Sequence, residues 1–247
     1  MNTHATAGKQ WTETELDSLT VESQFRLRGL EVTRLDTFID AAFAFVLTLL
    51  VISFDEIPSN YAEMMAAVKR IPAFAASFAL LMMFWLPHRR WSRRYGLENS
   101  RTILLSLGLI LVVFVYVYPL RTIFETMFFF LSGGYLSSDF RIESTDELRG
   151  IFTYYSVGFF ALSLLLNQLY RATMHSSTLL ALNQIEMRIT RIKMHTWAVA
   201  ASFGLLSILL ALVLPDAWVS IAGYMYFALF AAMRLPSFLD RRSNAEE

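Results

Sequence analysis

One acidic residue, Asp40, lies near the start of the first apolar segment, which extends to Ile52. A carboxylate at the centre of a membrane-spanning helix is unfavourable by roughly 2.5 to 3.5 kcal/mol, and by less near an end. Asp40 therefore requires a hydrogen-bonding partner or water. The ring N–H groups of Trp85 and His88, in the next apolar segment, are candidate donors. Because Arg34 lies well around the helix from Asp40, it is not an i, i+4 partner, and we expect Asp40 to have a structural rather than an ion-binding role.

The composition indicates that a bundle of membrane helices holds these residues. Of 247 residues, 55% are hydrophobic and 17% are charged, with a mean hydropathy of +0.46, whereas soluble proteins have roughly a quarter charged residues. Five of six uncharged runs reach the ~17 to 25 residues that a helix needs to cross a bilayer. The first run does so only if it includes residues 38–40. We therefore predict an all-α polytopic protein with six transmembrane helices. The runs are 41–54, 71–87, 102–120, 150–170, 196–215 and 217–233.

Lys and Arg are distributed unevenly over the loops that these runs imply. Sixteen lie in the N-terminal segment, after the second and fourth runs and at the C-terminus, whereas five lie on the opposite side. Because cytoplasmic loops carry the excess of Lys and Arg, we expect a multi-pass cell-membrane protein with both termini in the cytoplasm. The predicted organisation is a cytoplasmic segment 1–33, a six-helix transmembrane domain 34–236 and a cytoplasmic tail 237–247.

Two local patterns outside the apolar runs also predict helices. Thr12 and Glu15 have the spacing of a capping box, which indicates a short helix near the N-terminus. Leu182, Ile185 and Ile189 recur at steps of three and four residues. This period indicates that the fifth span begins well before its uncharged run, as an amphipathic helix on the cytoplasmic side.

Residue types that support catalysis or cofactor binding do not form recognisable motifs. The chain has no cysteine, its four histidines lack metal-ligand spacing, and the sequence contains no phosphate-binding loop or nucleophile elbow. We expect neither an enzyme nor a cofactor, and no nucleic-acid partner. The arginine cluster 89–94 has two interpretations: it either fixes the topology or forms a lipid or regulator site. A role in fixing the topology is the simpler interpretation.

A resemblance to a known family rests on three separated motifs. The sequence R-x-x-x-F-x-D ending at Asp40, followed by F-A-x-x-x-T-L-L-V ending at Val51, resembles the first helix of the transmembrane-protein-175 family of potassium channels. The pattern F-W-x-x-H ending at His88 resembles the end of the family's second helix. Pro119 resembles a proline near the end of its third helix.

The resemblance implies a homotetramer of six-span subunits without a re-entrant pore loop, in which the first helix lines a central pore for passive potassium conduction. It implies that Phe45 and Ile52 form apolar constrictions and that Thr48 forms a polar layer near which potassium ions bind transiently. These three positions follow one another at steps of three and four, which places them on one helical face. The partners implied are potassium ions, membrane lipid and further copies of the chain. The expected pore-mouth network consists of Arg34, Phe38, Asp40, Trp85 and His88.

Two positions depart from the family pattern. Ile39 replaces a serine, which removes a hydroxyl from the pore mouth, and Phe45 replaces a smaller aliphatic residue. A non-conducting family member is therefore one alternative. A second is an ion- or proton-coupled secondary transporter that uses Asp40. Transporters often have helices broken at mid-membrane, whereas we expect Pro87, Pro119 and Pro215 to lie near helix ends, which favours a channel.

Overall fold

The computed structural model describes residues 11–52, 59–138, 140 and 142–243, and this part of the chain is mostly helical. Two short antiparallel strands form a hairpin that is joined by Ser23 and Gln24. The elements in chain order are α1 (Glu13–Asp17), β1 (Val21–Glu22), β2 (Phe25–Arg26), α2 (Arg34–Ile52), α3 (Tyr61–Lys69), α4 (Ile71–Tyr95), α5 (Ser100–Leu131), α6 (Thr145–His175), α7 (Gln184–Val213), a 3₁₀ turn (Asp216–Trp218), α8 (Ile221–Tyr224), α9 (Tyr226–Ala232) and α10 (Leu235–Ser243).

Side-chain caps fix where most of these helices begin. Thr12 and Glu15 form the predicted capping box of α1. Asn99 and Asn183 cap α5 and α7 in the same reciprocal way, and satisfy amide groups that lack helical partners. At the other end of α4, Gly96 adopts φ = 53°, a left-handed conformation that residues with a Cβ disfavour, and its amide bonds the Ser92 carbonyl.

The centre of the bundle is the antiparallel pair α6 and α7. Ser156 bonds Ser207 and Asn167 donates to the Met194 carbonyl, so the two helices run in opposite directions along their length. Gly204 permits their close approach, since a Cβ there would meet the Phe160 backbone at 2.9 Å. Helix α5 packs on α6, and α2 packs on both α4 and α5.

Four helical stretches of the described residues are long and apolar enough to cross a membrane: Tyr61–Tyr95, which comprises α3 and α4, Ser100–Leu131, Thr145–His175 and Gln184–Val213. A helical membrane protein is thus confirmed. Helix α7 begins at Gln184, as the period of its first residues predicted. Helix α2 has 19 residues and carries Arg34, Asp36 and Asp40 in its first two turns.

The run 217–233 departs from the prediction of one long spanning helix. It forms the end of a 3₁₀ turn followed by α8 and α9, which are separated at Met225. Backbone bonds from Ala228 to Met225 and from Arg234 to Ala231 have three-residue spacing, so the helix tightens at both points. Helix α9 ends at Ala232, and Pro236 is the second residue of α10, a position at which its missing amide removes no helical hydrogen bond.

The expectation that three prolines lie near helix ends holds for Pro215, which follows the end of α7 at Val213, but was wrong for the other two. Pro87 lies inside α4, which continues to Tyr95, and Pro119 lies inside α5, which continues to Leu131. Both helices extend well past the apolar runs that were used to place their ends. Mid-helix proline therefore does not separate a channel from a transporter in this chain.

Candidate functional site: the exposed face of helix α2

The first turn of α2 is held by a local cap and by one bond from α4. The Asp36 amide bonds the Thr33 hydroxyl at 3.0 Å, and the Asp36 carboxylate accepts from the Thr33 hydroxyl, also at 3.0 Å. The second carboxylate oxygen of Asp36 accepts from the Ser92 hydroxyl at 2.5 Å. This arrangement caps the amide groups of the first turn and fixes α2 to α4.

One turn further, the Asp40 carboxylate accepts a hydrogen bond from Trp85 Nε1 at 2.8 Å. The Arg89 guanidinium lies 5.3 Å from the centre of the Trp85 indole ring, within the range of a cation–π contact. Asp40 is itself exposed at the surface of the single chain. The structure thus links Asp40 and Trp85 and adds Arg89 to them.

The second candidate donor, His88, bonds another residue. It is buried, and its Nε2 lies 3.0 Å from the hydroxyl of Ser106 on α5. Its ring centre lies 5.9 Å from that of Trp91. The described hydrogen bonds of His88 therefore connect α4 to α5 and do not include Asp40.

Helix α2 has two distinct faces. The face toward α4 and α5 is buried and includes Ile39, Phe43, Val46 and Leu50. The opposite face is exposed in the single chain and is designated the α2 outer face. It consists of Arg34, Thr37, Phe38, Ala41, Ala44, Phe45, Thr48 and Val51.

Two of the three predicted pore-lining residues have described side chains, and both lie on the α2 outer face. Phe45 is 55% exposed, and its ring centre lies 5.9 Å from that of Phe114 on α5. The Thr48 hydroxyl donates to the Ala44 carbonyl at 3.0 Å. Ile52 is the last residue of α2, and its side chain lies outside the described part of the structure.

Arg34 and Phe38, the remaining predicted pore-mouth residues, lie at the start of the α2 outer face. Both are exposed, and Phe38 retains 54% of its accessible surface. The structure therefore brings Asp40 and Trp85 together, places His88 in the α4–α5 contact, and leaves Arg34 and Phe38 on the surface of the chain.

Known proteins with related sequences cover this helix and most of the rest of the chain. The family described as endosomal/lysosomal potassium channel TMEM175 matches residues 34–119. A protein of Marivirga tractuosa named "Potassium channel" is 32% identical over 232 residues, which span 88% of this chain and 93% of that protein. The chain belongs to the TMEM175 family.

A solved structure supports the same assignment. The potassium channel MtTMEM175, crystallised as a variant with a nanobody–MBP fusion protein, superposes with a TM-score of 0.79 at 29% sequence identity. The match covers 92% of this chain and 99% of that one. The TMEM175 family is a family of ion channels and not a class of enzymes, which confirms the expectation from the sequence.

Sequence reasoning missed a buried ion pair that holds the N-terminal segment of this TMEM175 family member. Arg28 makes two bonds to the Glu186 carboxylate, at 3.0 and 2.8 Å, and both side chains are fully buried. Glu186 also completes the cap of α7 by accepting from the Asn183 amide. The available signal was the N-x-x-E capping pattern at Asn183, but no sequence feature pointed to its arginine partner.

Backbone bonds extend this connection to α4. The amides of Arg28 and Gly29 donate to the carbonyls of Arg94 and Arg93, at 3.2 and 3.1 Å. Phe25 is buried against Tyr95, with ring centres 5.3 Å apart. The segment that leads into α2 is thus fixed to the ends of α4 and α7, and with it the start of the α2 outer face.

Proposed function

We propose that this chain is the subunit of a homotetrameric potassium channel whose pore is lined by the α2 outer face. Membership of the TMEM175 family and the names of its relatives support the permeant ion. The observation that carries the placement of the pore is the α2 outer face itself. On this face, threonine, alanine and phenylalanine side chains are exposed along a mostly apolar helix.

The position of this face requires several copies of the chain. Helix α2 presents it to the outside of the single chain, so an ion path along it needs neighbouring subunits to enclose it. A closed ring of identical subunits does so with one repeated interface. The small side chains of Ala41 and Ala44 leave space along the axis, whereas a lipid-facing helix gains from large apolar side chains.

The side chains of this face suit a cation that loses part of its hydration shell in the pore. Because the Thr48 hydroxyl donates its hydrogen to the Ala44 carbonyl, the oxygen lone pairs are left to accept from water or to contact a cation. Four such oxygens in a ring partly replace the hydration shell of a potassium ion. Phe45, one turn closer to the pore mouth, forms an apolar ring that opposes hydration when it is narrow. In this proposal Ile52 forms a second apolar constriction.

The mouth residues keep α2 in the orientation that this pore needs. Bonds from Ser92 to Asp36 and from Trp85 to Asp40 attach the first two turns of α2 to α4. In this proposal Arg34 and Phe38 line the entrance, and His88 keeps α4 in register with α5. Asp40 positions the helix and is not an ion-coupling site.

We further propose that the channel lies in the cell membrane with six crossings and both termini in the cytoplasm. The support is the excess of Lys and Arg at one end of the apolar runs. Residues 34–236 then form the channel domain, bounded by cytoplasmic segments 1–33 and 237–247. Lipid surrounds the remaining exposed helices.

Flux from liposomes that contain the purified protein tests this function. The mass of the purified particle is measured first, and we expect four chains. Potassium efflux is then compared with sodium efflux under matched gradients, with empty liposomes as the control. We expect passive potassium efflux that exceeds sodium efflux. A folded tetramer that passes neither ion would contradict the proposal and indicate a non-conducting family member.

The Asp40→Asn variant separates a channel from a coupled transporter. Asparagine keeps a side-chain oxygen that accepts from Trp85 but removes the titratable group. We expect potassium efflux to continue without a pH gradient and to change by less than about twofold, since a structural bond persists. Loss of efflux together with loss of proton movement in Asp40→Asn would instead assign a coupled transporter.

A further inference from the structure

A cavity of about 480 Å³ lies apart from the α2 outer face, at the end of the bundle that carries the arginine cluster 89–94. Its walls come from α4, α6 and α7, from the β1–β2 hairpin, and from the connection between α9 and α10. These elements are far apart in sequence, so the cavity is a product of the tertiary fold.

Cationic side chains dominate the charge of this cavity. Arg90, Arg93, Arg94 and Lys193 line it, against one carboxylate, that of Glu22. Within the described part of the chain, none of these four cations forms an ion pair with an acidic residue. A site with this excess of uncompensated positive charge attracts an anion.

Most of the remaining lining is apolar, and Ser23, Tyr170 and Thr196 add hydroxyl groups. Met83, Pro87, Trp197 and Met233 line the cavity, and Trp197 is buried. Met83 and Pro87 belong to the uncharged run of α4, and the arginine cluster begins two residues after Pro87. The cavity therefore lies where apolar surface changes to basic surface along one helix, which is the depth of a lipid headgroup.

We propose that this cavity binds the headgroup of an anionic phospholipid from the cytoplasmic leaflet. The guanidinium groups of Arg90 and Arg94 and the Lys193 ammonium hold the phosphate, and the glycerol and first acyl carbons lie on Met83 and Met233. A soluble anion uses the charges but leaves the apolar lining without a partner. The β1–β2 hairpin forms one wall, so the lipid contacts the same segment that leads into α2. This site is independent of whether the pore conducts.

Native mass spectrometry of the purified full-length protein in a neutral detergent tests the proposal. Short-chain phosphatidylglycerol is titrated against phosphatidylcholine of the same chain length. The test variant is Arg90→Gln with Lys193→Gln. Its matched control is Arg89→Gln with Arg191→Gln, which removes two charges from the same two helices at positions that do not line the cavity. Arg90 is exposed and Lys193 is half-buried, neither makes a described hydrogen bond, and glutamine keeps part of each aliphatic stem, so we expect the test variant to fold.

We expect wild type and the control variant to bind phosphatidylglycerol with the same affinity and in preference to phosphatidylcholine. The affinity of the test variant for phosphatidylglycerol falls by about thirtyfold, because two cations that attract an anionic headgroup are removed. The charge-retaining Arg90→Lys and Lys193→Arg variants keep binding. Equal loss in test and control variants would overturn the proposal in favour of diffuse surface attraction. Displacement of the lipid by millimolar inorganic phosphate would overturn it in favour of a soluble anion.

Discussion

Helices α2 and α5 both expose a face at the surface of the single chain, and the two faces differ in size and polarity. The outer face of α5 consists of large apolar side chains, such as Leu104, Leu111 and Tyr118, which are 71%, 67% and 70% exposed. The α2 outer face has small or hydroxyl-bearing residues at most of its exposed positions between Thr37 and Thr48, interrupted by Phe38 and Phe45.

In our proposal, this difference separates a surface that faces lipid from a surface that faces water and ions. Both helices are mostly apolar, so hydropathy alone does not distinguish them. The burial of the side chains does distinguish them. Most exposed positions of α5 hold large apolar residues, whereas on α2 Ile39, Phe43, Val46 and Leu50 are buried and only Phe38, Phe45 and Val51 among the large apolar side chains described are exposed. The exposed face of α2 is therefore better suited to line a pore than to contact acyl chains.

The largest expected effect comes from a lysine placed on each face. Ala44→Lys is expected to reduce potassium flux by at least about a hundredfold, because an ammonium about 4 Å from the ion path repels potassium by about 4 kcal/mol. Leu111→Lys is expected to reduce the yield of folded protein, because it places a charge in lipid at roughly 2.5 to 3.5 kcal/mol. Flux and yield are measured for both variants. Poor folding of Ala44→Lys with normal folding of Leu111→Lys would reverse the two assignments.

A smaller effect is expected from removal of the proposed apolar constriction. Phe45→Ala is expected to increase potassium flux by about tenfold, which corresponds to about 1.4 kcal/mol in the barrier, because a wider and less apolar ring stays hydrated. Leu107→Ala, an exposed residue of α5, is the control and should leave the flux unchanged. Liposome flux at equal protein content measures both. An unchanged rate in Phe45→Ala would remove Phe45 from the ion path.

Thr48 has a close counterpart on another helix. Ser202 is exposed on α7, and its hydroxyl donates to the Ala198 carbonyl at 2.9 Å, as Thr48 does to Ala44. Thr48→Ala is expected to change the ratio of potassium to sodium flux by roughly fivefold, since about 1 kcal/mol of oxygen contact is lost. Ser202→Ala is expected to leave the ratio unchanged. Equal effects of the two substitutions would show that Thr48 acts within its helix and not on ions.

The smallest expected effect concerns the bond that orients α2. Trp85→Phe removes the donor to Asp40, and because Asp40 is exposed, water replaces the indole. We expect a decrease of about 0.5 kcal/mol in the free energy of unfolding. Trp218→Phe, at an exposed tryptophan, is the control and should show no decrease. Thermal unfolding in detergent measures both. A larger decrease in the control would mean that the Asp40 bond contributes nothing.

The sequence was sufficient to predict the helical class, the family and the start of α2. Asp40 could be recognised from the sequence because a carboxylate in an apolar segment needs a partner, and in the structure Trp85 donates a hydrogen bond to it. His88 was an equally good candidate donor from the sequence, but it bonds Ser106 on α5. The sequence does not show which residues of α4 face α2 and which face α5, because that depends on how the helices pack. The run 217–233 contains no charged residue, so the distribution of charges could not predict the separation of α8 from α9 at Met225.

The pairing of Arg28 with Glu186 could not be predicted for a different reason. The two residues are 158 positions apart, and in a charge count Arg28 is one more basic residue on the cytoplasmic side. Only the tertiary fold reveals that its guanidinium is buried and fully bonded. The cavity lined by Arg90 and Lys193 is a similar case, since its cations lie on two helices and meet only after folding.

If the α2 outer face lines a pore, water reaches it inside the membrane, and the reactivity of a cysteine placed on that face measures this. The chain has no cysteine, so Ala41→Cys and Leu111→Cys each introduce a single thiol. A charged, membrane-impermeant thiol reagent reacts only with a hydrated thiolate. We predict that the reagent modifies Ala41→Cys in liposomes and stops potassium flux, and that Leu111→Cys remains unmodified. An unreactive Ala41→Cys beside a reactive Leu111→Cys would contradict the account.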